Sequence, residues 1–220
     1  MTGARNALYF LIAIIVIDAV GVLIATYLPM LQATLTKPAK SVTGSKMHIV
    51  SLSPGSTEML FALGLGDSIV GVTDYCNYPP EAKQIERVGG YGTPNIEKLL
   101  DLSPDLVVAA GFDRKDVFQT LQKSGIRVLE LRINNIDDMF QALQKIGDGT
   151  GKRRQAEDLV GSMQAELKNI AKNTGDLRRQ SPPSVFVELW DDPLTTVGGT
   201  SFLDDIISRA GGVNVAHELP

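Results

Sequence analysis

The chain has 220 residues, with 21 basic against 25 acidic side chains and a net charge of −4. That balance argues against sequence-independent nucleic-acid binding, which needs clustered Lys and Arg to meet phosphates. The single cysteine, Cys76, excludes an intrachain disulfide, and the length is enough for one large domain or two small lobes with a real core.

Leu8 to Met30 reads LYFLIAIIVIDAVGVLIATYLPM, 23 residues with Asp18 as the one charge. A helix of that length spans roughly 35 Å, enough to cross a bilayer core. A cleavable signal peptide has a shorter apolar core, and Leu31-Gln32-Ala33 is a poor cleavage site. The expectation is therefore an uncleaved anchor over residues 1–30, with cleavage as the alternative. No cysteine lies nearby to carry a lipid. Arg5 precedes the segment while Lys37, Lys40 and Lys46 follow it, so the positive-inside rule alone favours the opposite orientation to an exported domain. Asp18 costs roughly 2.5–3.5 kcal/mol at mid-bilayer; it marks either a helix–helix contact or a cost the apolar segment tolerates. Residues 31–46, with Pro38, Gly44 and several Ser and Thr, read as a flexible tether.

From there strands and helices alternate. A strand is expected at His48–Leu52, then Ser53 as N-cap and Pro54 as first helical residue of a helix over about Gly55–Leu65. A second strand follows at Ile69–Val72, and the paired prolines end a turn over Thr73–Pro80. Thr93-Pro94-Asn95 should open a helix reaching about Leu102. Leu106–Ala110 reads as a buried strand, Arg114–Lys123 as a helix, Arg127–Leu131 as a strand and Ile136–Ile146 as a helix. Gly147–Gly151 looks like a break. Beyond it, Ala156, Leu159, Val160, Met163, Leu167, Ile170 and Ala171 recur at three- and four-residue steps, predicting one long helix from Arg153 to about Arg179 unless Gly175 ends it early. Ser181-Pro182-Pro183 stops any helix. Val185–Leu189 reads as a strand, and Phe202–Ala210 as a helix closed by Gly211-Gly212. The pattern predicts an α/β fold with parallel sheets. It comprises an N-terminal lobe at 47–150, an interlobe helix at 151–180 and a partial C-terminal lobe at 181–220.

The remaining chemistry is sparse. The two histidines, His48 and His217, are far apart in sequence, which argues against a histidine-rich metal site. The glycine clusters match neither GxGxxG nor a phosphate loop, and there is no G-x-S-x-G elbow. Asp191-Asp192 and Asp204-Asp205 are sequence neighbours that point apart on a helix, so they read as solvated caps. Cys76 reads as a half-buried structural thiol.

Four segments carry a resemblance: IVSLSPGSTEMLFALGLGDSIVGVT (Ile49–Thr73), DYCNYPPEA (Asp74–Ala82), NIEKLLDLSPDLVVA (Asn95–Ala109) and GGTSFLDDIISRAGGVNVA (Gly198–Ala216). Their order and spacing are similar to class III periplasmic substrate-binding proteins, the capture subunits of ABC importers for cobalamin, ferric siderophores and haem. DYCNYPP followed by GGYGTPNIEKLL looks most like the cobalamin-binding branch. The resemblance implies two α/β lobes on one stiff helix, with the ligand held between them and no catalysis.

It also implies roles. Tyr75 and Tyr91 match aromatics lying against the corrinoid, Gly55 a backbone donor, and Trp190 a cleft aromatic at the end of the first strand of the second lobe. Glu97 matches a carboxylate that docks with the permease. Cobalamin or a ferric chelate would be transported ligand rather than cofactor, in an extracytoplasmic, membrane-anchored protein. Each residue has a plainer reading. The tyrosines could pack their turns, Gly55 could be a cap, Trp190 a half-buried interface residue, and Glu97 a first-turn acid facing the helix dipole. The family's second docking carboxylate and last C-lobe elements lie beyond the pattern ending at Pro220, so a fragment or a shortened product is expected. A small α/β enzyme and a membrane-anchored scaffold remain the readings from other classes.

Overall fold

The polar residue that ends the first strand also starts the first helix. In the computed structural model, which describes residues 46–111, 114–175 and 181–219, β1 is Ile49–Ser51 and α1 is Pro54–Ala62. Ser53 between them has extended backbone, and its hydroxyl accepts from the Ser56 amide, while Pro54 supplies the fixed φ of a first helical turn. The expected membrane segment at Leu8–Met30 and nearly all of the tether lie outside the described residues. Among the described residues no helix is long and apolar enough to cross a membrane.

β2 follows at Ile69–Val72, β5 at Leu106–Ala110 and β6 at Arg127–Leu131, each within the span the sequence predicts. Between β2 and β5 lies a short hairpin, β3 (Gly89–Gly90) against β4 (Thr93–Pro94). This corrects the expected helix start. Thr93 and Pro94 pair with Gly90 and Gly89, and α2 begins at Ile96 (Ile96–Asp101) with Asn95 capping the Lys98 amide. The main sheet has order β2-β1-β5-β6 and is parallel throughout.

Side chains alternate between the two faces of the central strands and are buried on both, as a pleated sheet covered on both sides requires. Ile49 and Val108 face a core shared with Leu60 of α1 and with Phe140, Leu143 and Ile146 of α4 (Ile136–Thr150). Val50, Val107 and Ala109 face a second core with Leu99 of α2 and with Phe118 and Leu121 of α3 (Lys115–Lys123). Helix α5 (Arg153–Asn173) then packs along α4 through Ala156 and Val160, which are buried in the first core.

The expected glycine break is not one. Helix α4 runs through Gly147 and Gly149 to Thr150, and Gly151 alone takes the left-handed conformation, at φ 73°. Gly147 serves close packing instead: a Cβ there would sit 2.7 Å from the Ala156 Cβ and 3.1 Å from the Lys152 carbonyl.

The C-terminal segment also departs from expectation. Of the predicted strand Val185–Leu189 only Val185 lies in β7 (Ser184–Val185), which pairs in parallel with Val213–Asn214 (β10). Trp190–Asp191 (β8) and Leu194–Thr195 (β9) form a separate antiparallel hairpin. Trp190 therefore opens that hairpin rather than ending a strand. α6 spans Phe202–Ala210 as predicted, capped by Ser201.

The two acids of α6 are not solvated caps. Asp204 is 7% exposed and accepts hydrogen bonds from Asn214 Nδ2 and from His217 Nδ1. Asn214 and His217 hold its carboxyl below the usual carboxylate range, and Asp204 in turn raises the His217 imidazole. Asp205 accepts from the Ile136 amide at 2.9 Å, and Arg209 bridges Asp205 and Asp137. These bonds seat the start of α6 on the start of α4.

Two glycine substitutions should therefore diverge in urea unfolding. Gly147→Ala should lower stability by about 1–3 kcal/mol, because the α4–α5 contact must open to admit the methyl. Gly161→Ala in α5, where a Cβ meets nothing within 4 Å, should raise it by about 0.5–1 kcal/mol. Equal responses would contradict this packing.

Candidate ligand-binding cleft

At the carboxyl ends of the parallel strands the chain changes direction. From β1 it passes through α1 to β2 on one side, while β5 and β6 extend the sheet on the other. Such a switch point leaves a crevice outside the strand ends, the usual ligand position in open α/β sheets. A cavity of about 870 Å³ lies there. Its lining comes from every adjacent strand end: Ser53-Pro54-Gly55 after β1, Tyr75 after β2, Ala110-Gly111 at β5 and Ile133 after β6. Tyr91 from the β3–β4 turn, Glu58 and Met59 of α1, Met139 of α4 and Phe202 of α6 complete it.

Ser53, in the lining, is one edge of a buried hydroxyl and thiol lattice. Ser53 Oγ accepts from the Ala110 amide at 3.3 Å, joining the ends of β1 and β5. Thr57 Oγ1 lies 2.9 Å from Ser51 Oγ and 3.1 Å from Cys76 Sγ, and Thr73 Oγ1 also meets Cys76 Sγ. Cys76 is thus fully buried rather than half-buried. Arg87 Nη1 donates to the Thr73 and Cys76 carbonyls at 2.8 and 2.9 Å. The β2 turn is fixed from both sides, which leaves Tyr75 projecting at 65% exposure.

Tyr91 is held differently. Its hydroxyl donates to the Gly111 carbonyl. Arg114 Nη1 donates to the Gly92 carbonyl at 2.7 Å, while the rest of that guanidinium forms a two-pronged pair with Asp116. Arg114 draws the Asp116 carboxyl down to about 2. Gly111 has φ 64°, and a Cβ there would lie 2.9 Å from the Tyr91 hydroxyl.

Gly55, Tyr75 and Tyr91 therefore share one cavity. Gly55 is exposed in the first turn of α1, where an amide has no intrahelical acceptor. Trp190 is not among the lining residues; it is 64% exposed on its hairpin, with Nε1 bonded to the Asp192 carbonyl. Glu97 lies elsewhere, exposed in the first turn of α2. His48 precedes β1 at the opposite end of the sheet and His217 pairs with Asp204. Among the described residues no three His, Cys, Asp or Glu side chains group to hold a metal.

Sequence reading missed Glu58, Met59, Ile133, Met139 and Phe202. Ile133 and Phe202 had a signal, since each stands in or just after a turn that faces the strand ends. The α1 and α4 residues had none, because their spacing fits ordinary core and surface positions.

The sequence profile of the periplasmic binding protein family matches residues 49–220. The chain belongs to that family. The ABC transporter substrate-binding lipoprotein YvrC of Bacillus subtilis (strain 168) is 35% identical over 175 residues, covering 77% of this chain and 55% of the relative. The vitamin B12-binding protein of Vibrio cholerae serotype O1 is 31% identical over 196 residues, covering 86% and 66%. Among solved structures, the periplasmic vitamin B12 binding protein BtuF of Vibrio cholerae matches with a TM-score of 0.69 at 27% identity, over 79% of this chain and 68% of that one. A periplasmic haem-binding protein of Pseudomonas aeruginosa matches with a TM-score of 0.71 at 26% identity, over 77% and 63%. The chain thus spans between about half and two thirds of these relatives' length. The resemblance drawn from the four segments is borne out at the level of family and fold.

Gly111→Ala should cost about 1–2 kcal/mol, the penalty for a Cβ in the left-handed region, and Gly111→Asn less, because Asn tolerates that region better. Urea titration of both variants checks the order; an unchanged Gly111→Ala midpoint would contradict it.

Proposed function

We propose that the chain is an extracytoplasmic substrate-binding protein, tethered by its N-terminal segment, that captures a corrinoid of the cobalamin type and delivers it to an ABC importer. The observation that carries this reading is the cavity of about 870 Å³ with two tyrosines on its walls, in a family with vitamin B12-binding members. A broad, flat ligand with an apolar face and a polar rim fits such walls. Tyrosine rings bury much area for little lost entropy, and their hydroxyls can still pair.

The Gly55 amide supplies a donor for a ligand carbonyl. No step of covalent chemistry is part of this reading. Capture alters the protein little, since the hydroxyl and thiol lattice and the α4–α5 packing leave few soft joints. Glu97, away from the cavity and exposed, is free for the docking role; a carboxylate there can take a bidentate arginine from the permease. A ferric siderophore or haem is the second reading, favoured by the haem-binding protein among the similar structures.

Calorimetric titration of the full chain with cyanocobalamin should give saturable one-to-one binding. Tyr75→Ala and Tyr91→Ala should each weaken it about tenfold, a loss of roughly 1.4 kcal/mol. Glu97→Ala should leave affinity within about twofold yet lower uptake through the importer. Heat with haemin or a ferric chelate but none with cyanocobalamin would replace the corrinoid by the second reading.

A further inference from the structure

We infer that Glu58 makes the cleft charge-selective: it admits neutral or cationic ligands whose rim offers N–H groups and turns away net-anionic ligands that present carboxylates. The inference rests on the binding-protein reading above and narrows its ligand class.

The lining described above has one fully charged side chain, Glu58, and no Lys, Arg or His. The helix start at Gly55 works in the opposite sense, since a helix N-terminus carries roughly +0.5 charge. Glu58 carries a whole negative charge on the same short helix, one turn on from a first turn that contains no acid. The balance is still negative. It becomes more so at the rim, where Glu58 also lines a shallower groove of about 560 Å³ with Asp67 and Glu81 and no basic side chain. Acids around a low-dielectric mouth focus their field into it.

Two cations that flank the lining are already committed. Arg114 is occupied by Asp116 and the Gly92 carbonyl, and Arg132 pairs with Glu130 at 3.2 Å. A carboxylate brought into this apolar cavity would lose water without meeting a counter-ion in the lining, and it would meet Glu58 besides. An amide or ammonium edge would instead donate a charge-assisted hydrogen bond to Glu58. A ring bordered by amides fits that demand, and so does a cationic ferric trihydroxamate. Haem, with two propionates, does not.

The test measures affinities of the full chain and of Glu58→Gln for cyanocobalamin, a cationic ferric trihydroxamate and haemin, in low salt and in about 0.5 M salt. The wild-type chain should prefer one of the first two over haemin by about tenfold or more. Glu58→Gln, near-isosteric and exposed, should strengthen haemin binding about tenfold with an unchanged circular dichroism spectrum. Salt should strengthen haemin binding to the wild type and not to the variant. Haemin binding the wild type as tightly as the other two would overturn the inference, and so would a Glu58→Gln variant with unaltered haemin affinity. Preference for the trihydroxamate without any corrinoid binding would remove the corrinoid reading and leave charge selection standing. Failure of all three probes to bind would remove both.

Discussion

The hydroxyl of Ser53 sits where two strand ends and a helix start converge. It accepts from the Ser56 amide inside α1 and from the Ala110 amide at the end of β5. Around it Ser51, Thr57, Thr73 and Cys76 form a buried network in which each polar atom finds a partner. A buried polar group left unpaired costs about 1–3 kcal/mol, so such a network is rigid once complete. Everything that lines the cavity from the first three turns stands on it. The lattice fixes the angle at which α1 leaves β1 and the path of the turn that carries Tyr75, and it holds the edge of β5 where Gly111 meets Tyr91.

The wider fold serves the same end. Parallel strands put all their carboxyl ends on one side, and connections of unequal direction leave the gap between β1 and β5 uncovered. The two cores on opposite faces of the sheet keep those ends in register, while Asp205 and Arg209 bring Phe202 to the far wall. What results is an open bowl with a firm base and largely apolar sides.

Much of this was legible in the residues. The strands at Ile69–Val72, Leu106–Ala110 and Arg127–Leu131 are apolar runs between turn residues, and they form where predicted. The helix cap at Ser53 also follows from local chemistry. Other features depend on partners distant in sequence, which local patterns do not reveal. Gly147 reads as a breaker until Ala156 lies against it. Thr93-Pro94 reads as a helix start until Gly89-Gly90 pairs with it. Asp204 reads as a surface cap until Asn214 and His217 close over it. In the site, Gly55, Tyr75 and Tyr91 follow from the family resemblance, and the turns and helix start that carry them gather at one edge of the sheet. Glu58 could not be found, because an acid on an amphipathic helix looks the same whether it meets bulk water or a ligand.

The most direct measurement is a crystal structure of the chain grown with cyanocobalamin. The expected result is a corrin ring against Tyr75 and Tyr91, over the amides that follow β1 and the end of β5. A ring bound instead in the groove between Phe61 and Tyr78, or anywhere away from the strand ends, would contradict the proposed cleft.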